Sequence, residues 1–241
     1  MNGFFNMDSP IMRLLTKVAD LIILNILVIL CSIPIVTVGA SFTGMHYVLL
    51  KMVRNEDGYI VKGFFKSFKQ NLKQATIIWL IILVFAVILV ADWFIYRDNA
   101  AQLSKVMMII LVALVMVVGM GISFVFPVLA RFDNTVYHTI KNSIFMAILS
   151  FPKTVLMIAC YAIPFLLLWY VPAAVPVVLM LGISGPAYLG AMIYSGVFRK
   201  FEPEKEEDLV TADQDFRIEE VENAEENPQE EAEKKENEYM V

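Results

Sequence analysis

The sequence is divided by four long runs that contain no charged residue: 21–50, 74–91, 106–130 and 154–198. A helix needs about 20 predominantly apolar residues to cross the hydrocarbon core of a bilayer. Of the 241 residues, 59% are hydrophobic, and the mean hydropathy is +0.67, which is too apolar for an ordinary soluble domain. The runs predict an all-α fold: a polytopic membrane helix bundle with about five transmembrane helices and amphipathic interfacial connectors.

The lengths of these runs set the number of expected crossings. The first run exceeds one crossing and falls short of two, whereas the last run is long enough for two. The spans are expected at about 18–38, 75–96, 106–130, 154–172 and 176–197. Residues 1–198 are therefore the predicted membrane domain, and residues 199–241 are a predicted tail.

Two places within the apolar runs are predicted to break their helices. Proline cannot donate a helix hydrogen bond, and glycine permits irregular backbone. The first break is expected at Thr37–Ser41, before a second, amphipathic helix that ends near Arg54. The candidate residues of the two breaks are Pro34, Thr37, Gly39 and Ser41, and then Gly182, Gly185 and Pro186. Broken helices expose backbone groups that can bind a solute at membrane depth.

A short segment between the first two predicted spans combines lysine and phenylalanine at helical spacing. Its candidate residues are Lys62, Phe64, Phe65, Lys66, Phe68, Lys69 and Lys73. On a helix the lysines share one sector and the rings share a neighbouring one. This layout predicts a helix in the membrane interface, with its rings in the acyl boundary and its ammonium groups among anionic headgroups. A role as a topology anchor alone is the alternative.

The charges are unevenly distributed along the chain. Residues 1–198 hold 13 Lys and Arg against 7 Asp and Glu, and residues 199–241 hold 6 against 17. The positive charges concentrate in the connectors 39–73 and 131–153, the second of which begins at Arg131. The positive-inside bias therefore predicts a cytoplasmic side for both connectors, with the N-terminus outside and the C-terminus cytoplasmic. The alternative is a re-entrant first segment, which gives four spans and two cytoplasmic termini.

The tail is dominated by glutamate and has too few apolar residues to bury a core. We expect it to be a disordered cytoplasmic segment. Its role is either that of a hydrated brush or that of a competitor with anionic lipid for the lysine face.

The chain has few residues that carry chemistry. Cys31 and Cys160 lie in apolar runs, and with only His46 and His138 no zinc-binding spacing exists. Hydrolase and nucleotide-binding motifs do not occur, so no catalytic residue, cofactor or metal is predicted. His46 is interpreted as a polar packing residue. Phenylalanines between the lysines favour lipid over nucleic acid as the partner of the basic segment.

Several sequence blocks resemble the YesL-like family of bacterial integral membrane proteins, a domain of unknown function. They are PIVTVGAS at 34–41, KMVRNEDGY at 51–59, FFKSFKQNLKQAT at 64–76 and FPVLARF at 126–132. The resemblance covers about residues 1–198 and leaves the acidic tail outside. It implies a multi-pass plasma-membrane protein that is linked with carbohydrate uptake by ABC-type systems.

These observations lead to two functional hypotheses. The first is a non-enzymatic accessory or regulatory component of carbohydrate ABC-type uptake. Its cytoplasmic connectors, Lys51–Lys73 and Arg131–Lys153, would contact an ABC transporter permease subunit or anionic membrane lipids. The second is a permease-like channel or carrier component that itself moves a sugar or small solute through the two helix breaks. The sequence predicts neither the substrate nor a particular oligomeric state.

Overall fold

The computed structural model describes residues 10–56, 58–98 and 105–201. The chain divides into two compact units, Met1–Phe198 and Arg199–Val241, and the helices described below all belong to the first. The predicted acidic tail beyond Phe201 lies outside the described residues.

The described residues form eight α-helices and two short 3₁₀ turns, with no strand among them, so the predicted all-α class is confirmed. The helices are α1 Pro10–Cys31, α2 Val38–Val53, α3 Ile60–Asp98, α4 Lys105–Arg131, α5 Val136–Leu149, α6 Phe151–Tyr170, α7 Val175–Leu181 and α8 Ser184–Phe198. The 3₁₀ turns are Ile35–Thr37 and Pro172–Ala174. Five of the helices are long and apolar enough to cross a membrane, and α7 with α8 form a further bent pair. The chain is therefore a multi-pass membrane protein.

The longest helix, α3, joins two elements that the sequence predicted as separate, the lysine–phenylalanine helix and the span at 75–96. Residues 64–98 contain neither glycine nor proline, so nothing in the sequence interrupts the helix. Its 39 residues extend about 58 Å at 1.5 Å per residue, roughly twice the 30 Å hydrocarbon thickness. The lysine-bearing half therefore projects beyond the hydrocarbon core.

Helix α2 packs antiparallel to this projecting half of α3. Gly39, near the start of α2, lies against Ala75, whereas Val48, five residues before its end, lies against Gly63. Helix α2 is apolar enough to be a span. It lies beside the lysine-bearing half of α3. The five candidate spans are α1, α2 with the preceding 3₁₀ turn, α3, α4 and α6, and the bent α7–α8 pair would make a sixth. This number agrees with the predicted total of about five.

The first helix break lies earlier than the predicted Thr37–Ser41. Helix α1 ends at Cys31, and the chain turns around Pro34, which cannot donate a backbone hydrogen bond. Thr37 lies in the 3₁₀ turn, where its hydroxyl donates to the carbonyl oxygens of Cys31 and Pro34 at 2.6 and 2.8 Å. Gly39 and Ser41 do not break a helix, because both belong to α2. At Gly39, a Cβ would lie 2.5 Å from the carbonyl oxygen of Ala75, so glycine serves close packing there.

The second break is a bend of 57° between α7 and α8. Gly182 follows the last residue of α7, and Gly185 and Pro186 lie in the first turn of α8. Proline is well tolerated there because the N–H groups of a first turn have no intrahelical acceptor. The bend is therefore centred on Gly182 and Ile183, just before the predicted proline.

The buried core lies at the end of the bundle that carries α2. Its largest fully buried side chains come from five different helices: Leu24, Met45, Leu49, Phe64, Phe124, Tyr194 and Phe198. The opposite end, around residues 80–97, 108–117 and 163–171, exposes most of its large apolar side chains. Such surfaces are expected where lipid replaces water as the solvent.

Candidate functional site

The four predicted lysines form an exposed stripe along the projecting half of α3. Lys62, Lys66, Lys69 and Lys73 follow spacings of four, three and four residues, which place them on one helix face. All four are exposed, and no ion pair involves them within the described part of the chain. We call these four residues the lysine stripe.

The predicted position of the phenylalanines in lipid is wrong for Phe64. Its ring is fully buried in the core with Met45 and Leu49 of α2. Phe68 is partly buried, and its ring stacks on that of Phe64 at a centroid distance of 5.9 Å. Phe65 alone of the three remains substantially exposed, at 36%. The aromatic sector therefore anchors α3 to α2, and the lysine stripe stands on a rigid support.

A cavity of about 220 Å³ lies between the end of α2 and the start of α3. Three lysines line it, Lys51 from α2 and Lys62 and Lys66 from the lysine stripe. Glu56 is the acidic residue in its described lining. The ammonium group of Lys51 lies 5.4 Å from the centre of the Tyr47 ring, close enough for a cation–π interaction. The excess of ammonium groups makes this end of the antiparallel pair of α2 and α3, called here the hairpin, electropositive.

Arg131, the candidate residue of the second connector, lies next to the same end of the hairpin. A smaller cavity of about 70 Å³ is lined by Arg131 together with Lys51, Glu56 and Tyr47. The structure thus brings Arg131, Lys51, Lys62 and Lys66 into one region, while Lys69 and Lys73 continue the charge along α3. Lys51, Glu56 and Tyr47 belong to the predicted connector 39–73, but they were not among its candidate residues.

A larger cavity, of about 570 Å³, lies among the apolar segments and is called here the membrane cavity. Its lining comes from six helices, α1, α2, α3, α4, α6 and α7, and from the bend before α8 and its first turn. Phe165 and Leu179 border its mouth and are 77% and 62% exposed, whereas His46 and Ala187 are buried. None of the described lining residues is charged. The membrane cavity therefore opens at the exposed apolar surface of the bundle and closes on a buried floor.

The floor of the membrane cavity contains a buried hydrogen bond. His46 Nδ1 lies 3.1 Å from the hydroxyl of Tyr194, which has no other hydrogen-bond partner in the described chain. A buried hydroxyl hydrogen requires an acceptor, and Nδ1 is the one within reach. This assigns the ring proton to Nε2, for which the described residues supply no partner. His46 is thus both the predicted polar packing residue and a donor available to the cavity.

Only one of the two predicted breaks reaches the membrane cavity. Gly182 and Ile183 line it, whereas the chain between Pro34 and Ser41 does not. The first break instead contacts α3 through a hydrogen bond, in which Trp79 Nε1 donates to the carbonyl of Ile35 at 2.8 Å. The two breaks therefore do not face each other across one site.

The described residues contain no group of three or more His, Cys, Asp or Glu side chains that could hold a metal ion. Cys31 and Cys160 are free thiols on α1 and α6.

The fold and these two sites define the class of protein: a multi-pass helical membrane protein with a basic hairpin and an uncharged cavity among its apolar helices. Residues 21–93 match the family described as "Protein of unknown function, DUF624". The chain is also similar to "Uncharacterized protein YesL" of Bacillus subtilis (strain 168), with 28% identity over 164 residues. That alignment covers 67% of this chain and 74% of the relative. Both matches confirm the resemblance to the YesL-like family. No solved structure matches the chain.

Proposed function

We propose that this chain is a non-enzymatic accessory component of carbohydrate uptake by an ABC-type system in the bacterial plasma membrane. It would bind a permease subunit through the lysine stripe, Lys51 and Arg131. The observation that carries the proposal is the presentation of these cations on one supported helix face. Phe64 fixes the lysine-bearing half of α3 to α2, so the backbone that carries the lysine stripe is held in place. A basic surface on a fixed helix suits an acidic face of a partner, because complementary charges favour association.

The proposed orientation places this surface in the cytoplasm, with the N-terminus outside and the C-terminus inside. The lysine stripe, the start of α5 and the end of α8 lie at the same end of the bundle. Gln74 donates a hydrogen bond to the carbonyl of Asn134, and the Phe132 and Phe198 rings lie 5.3 Å apart. This common end is also the more basic one, which is the property that the positive-inside rule associates with the cytoplasm.

The first test is affinity isolation of the full-length chain in mild detergent, with sugar uptake measured in a deletion strain across several oligosaccharides. We expect recovery of a transporter subunit and reduced uptake. A variant that combines four substitutions should neither recover the subunit nor restore uptake in the deletion strain. The four substitutions are Lys62→Ala, Lys66→Ala, Lys69→Ala and Lys73→Ala. The matched control replaces the same four lysines with arginine, which keeps the charge and therefore the topology signal. Recovery of the chain alone, with unchanged uptake, would falsify the proposal. Binding of the chain to anionic vesicles without a protein partner would instead identify lipid headgroups as the ligand.

A carrier function for the chain itself is the second proposal, and the bend at Gly182 supports it. Irregular backbone at membrane depth that lines a cavity is a recurrent feature of transporter binding sites. The uncharged, mainly apolar lining suits an apolar solute better than a sugar, whose hydroxyls need partners once desolvated. Uptake of a labelled sugar by proteoliposomes that contain only this protein would establish the carrier. Its absence, with uptake restored by an added permease, would support the accessory role.

A further inference from the structure

The membrane cavity supports a second inference, which does not depend on the proposed accessory function. Its volume of about 570 Å³ is within the range of about 300–1,000 Å³ typical of small-molecule sites. It combines an apolar wall with a few polar groups, which is the usual composition of such sites. The question is which chemical class of ligand these groups would recognise.

The absence of charged residues from the described lining limits the chemical class of ligand that the membrane cavity could bind. A phospholipid headgroup or another anion would need a cation nearby, and the described lining contains no lysine or arginine. An oligosaccharide would leave most of its hydroxyls without partners, because only four residues of the described lining, His46, Tyr161, Ser123 and Trp79, have polar side-chain atoms. The Trp79 N–H already donates to the carbonyl of Ile35. The Ser123 hydroxyl already donates to the carbonyl of Gly119 at 3.1 Å. A neutral, lipid-soluble molecule remains.

Two donors then define the polar part of that molecule. His46 presents Nε2–H, as the hydrogen bond between its Nδ1 and Tyr194 assigns. Tyr161, from α6, brings a hydroxyl that has no hydrogen-bond partner among the described residues. Its oxygen lies 3.1 Å from the position that a Cβ on Gly190 would occupy, so glycine leaves the room that this hydroxyl uses. A pair of donors suits carbonyl oxygens, which only accept hydrogen bonds.

The wall of the cavity favours a flat ring. Phe42 and Phe126 lie with their ring centres 5.9 Å apart, and Trp79 lies 6.5 Å from Phe126. Aromatic side chains pack well against planar ligands. The exposed mouth at Phe165 and Leu179 would let an apolar chain continue into the bilayer. We propose that the membrane cavity binds a lipid-soluble quinone, with its ring among the aromatic residues, its carbonyl oxygens at His46 and Tyr161, and its prenyl chain in lipid.

Trp79 supplies the probe, because it lines the cavity while Trp93 and Trp169 are exposed side chains outside its lining. The full-length protein with Trp93→Phe and Trp169→Phe, in detergent micelles, would be titrated with a naphthoquinone that carries a short prenyl chain. We expect saturable quenching of Trp79 fluorescence. Tyr161→Phe removes one donor and should weaken binding about fivefold. Tyr170→Phe is the matched control on the same helix, 77% exposed and outside the lining, and should leave the affinity unchanged.

Three outcomes would overturn the proposal. One is quenching that rises linearly without saturation, as expected from partition of the quinone into the micelle. Another is equal affinity in Tyr161→Phe and the unsubstituted protein. The third is displacement of the quinone by diacylglycerol at the same mole fraction, which would make the cavity a general acyl-chain site. None of these three outcomes would contradict the proposed accessory function, because that function is tested by partner recovery and sugar uptake.

Discussion

The side-chain oxygen of Asn25 on α1 accepts a hydrogen bond from the backbone N–H of Ser184, 3.0 Å away at the first residue of α8. The same oxygen accepts the N–H of Ile183, and the amide nitrogen donates to the carbonyl of Leu179 at 2.8 Å. The Ser184 hydroxyl in turn donates to the carbonyl of Leu21. Asn25 is fully buried. The Asn25 side chain thus provides hydrogen-bond partners for three backbone groups at the bend. A helix break surrounded by apolar groups requires such partners.

Replacing Asn25 with leucine should destabilise the protein by about 2 kcal/mol or more, because buried backbone donors at the bend lose their acceptor. The measurement is the midpoint of unfolding in mixed detergent micelles. The matched control is Thr16→Val on the same helix, where an exposed hydroxyl donates only to the carbonyl of Met12, one turn earlier. We expect the control to change stability little. Equal midpoints for Asn25→Leu and the unsubstituted protein would contradict this role of Asn25.

The contact between α2 and α3 makes Gly39 sensitive to a single methyl group. In Gly39→Ala the new Cβ would meet the Ala75 carbonyl oxygen at 2.5 Å and the Trp79 Cβ at 2.9 Å, so the helices must separate. We expect a loss of about 1–3 kcal/mol, as for other overpacked sites. The control is Gly119→Ala, whose Cβ would meet nothing within 4 Å. This control should be neutral or stabilising by up to about 1 kcal/mol, since alanine favours helix. The prediction fails if the two variants unfold at the same midpoint.

Phe64 and its neighbour Phe65 should differ sharply in their contribution to stability. Phe64 is fully buried between α2 and α3, so Phe64→Ala leaves a cavity and should cost about 3–5 kcal/mol. Phe65→Ala removes a ring that is 36% exposed and should cost clearly less. Both are measured by unfolding in the same micelles. Equal costs would indicate that the two rings share one environment, as the interfacial-helix prediction implied.

The proposed orientation predicts which side of the membrane each of two positions faces. After Cys31→Ala and Cys160→Ala, Ser9→Cys should react with an impermeant thiol reagent in intact cells. Tyr59→Cys, at the 83% exposed tip of the hairpin, should react only after permeabilisation. Permeabilised cells serve as the control, because both positions must then be labelled. Absence of labelling at Ser9 in intact cells would instead support the re-entrant first segment.

Much of the fold could be predicted from the sequence, because charge and hydropathy act over whole segments. The charge-free runs determine an all-α, multi-pass protein, since only helices satisfy their own backbone within such stretches. The lysine spacing determines one polar face on the start of α3. Pro34 and Gly182 mark the two breaks to within a few residues, because the missing donor or the missing Cβ acts locally.

The tertiary structure alone decided where each apolar face packs. Phe64 and Phe65 are both apolar, and lipid and protein interior are equally acceptable to such residues, so periodicity cannot distinguish them. The position of α2 beside the lysine half of α3 depends on the close approach at Gly39, between residues far apart in sequence. The same is true of Asn25 at the bend and of His46 with Tyr194, which are 148 residues apart. These contacts form only when several helices assemble, and they are what gives the chain its membrane cavity.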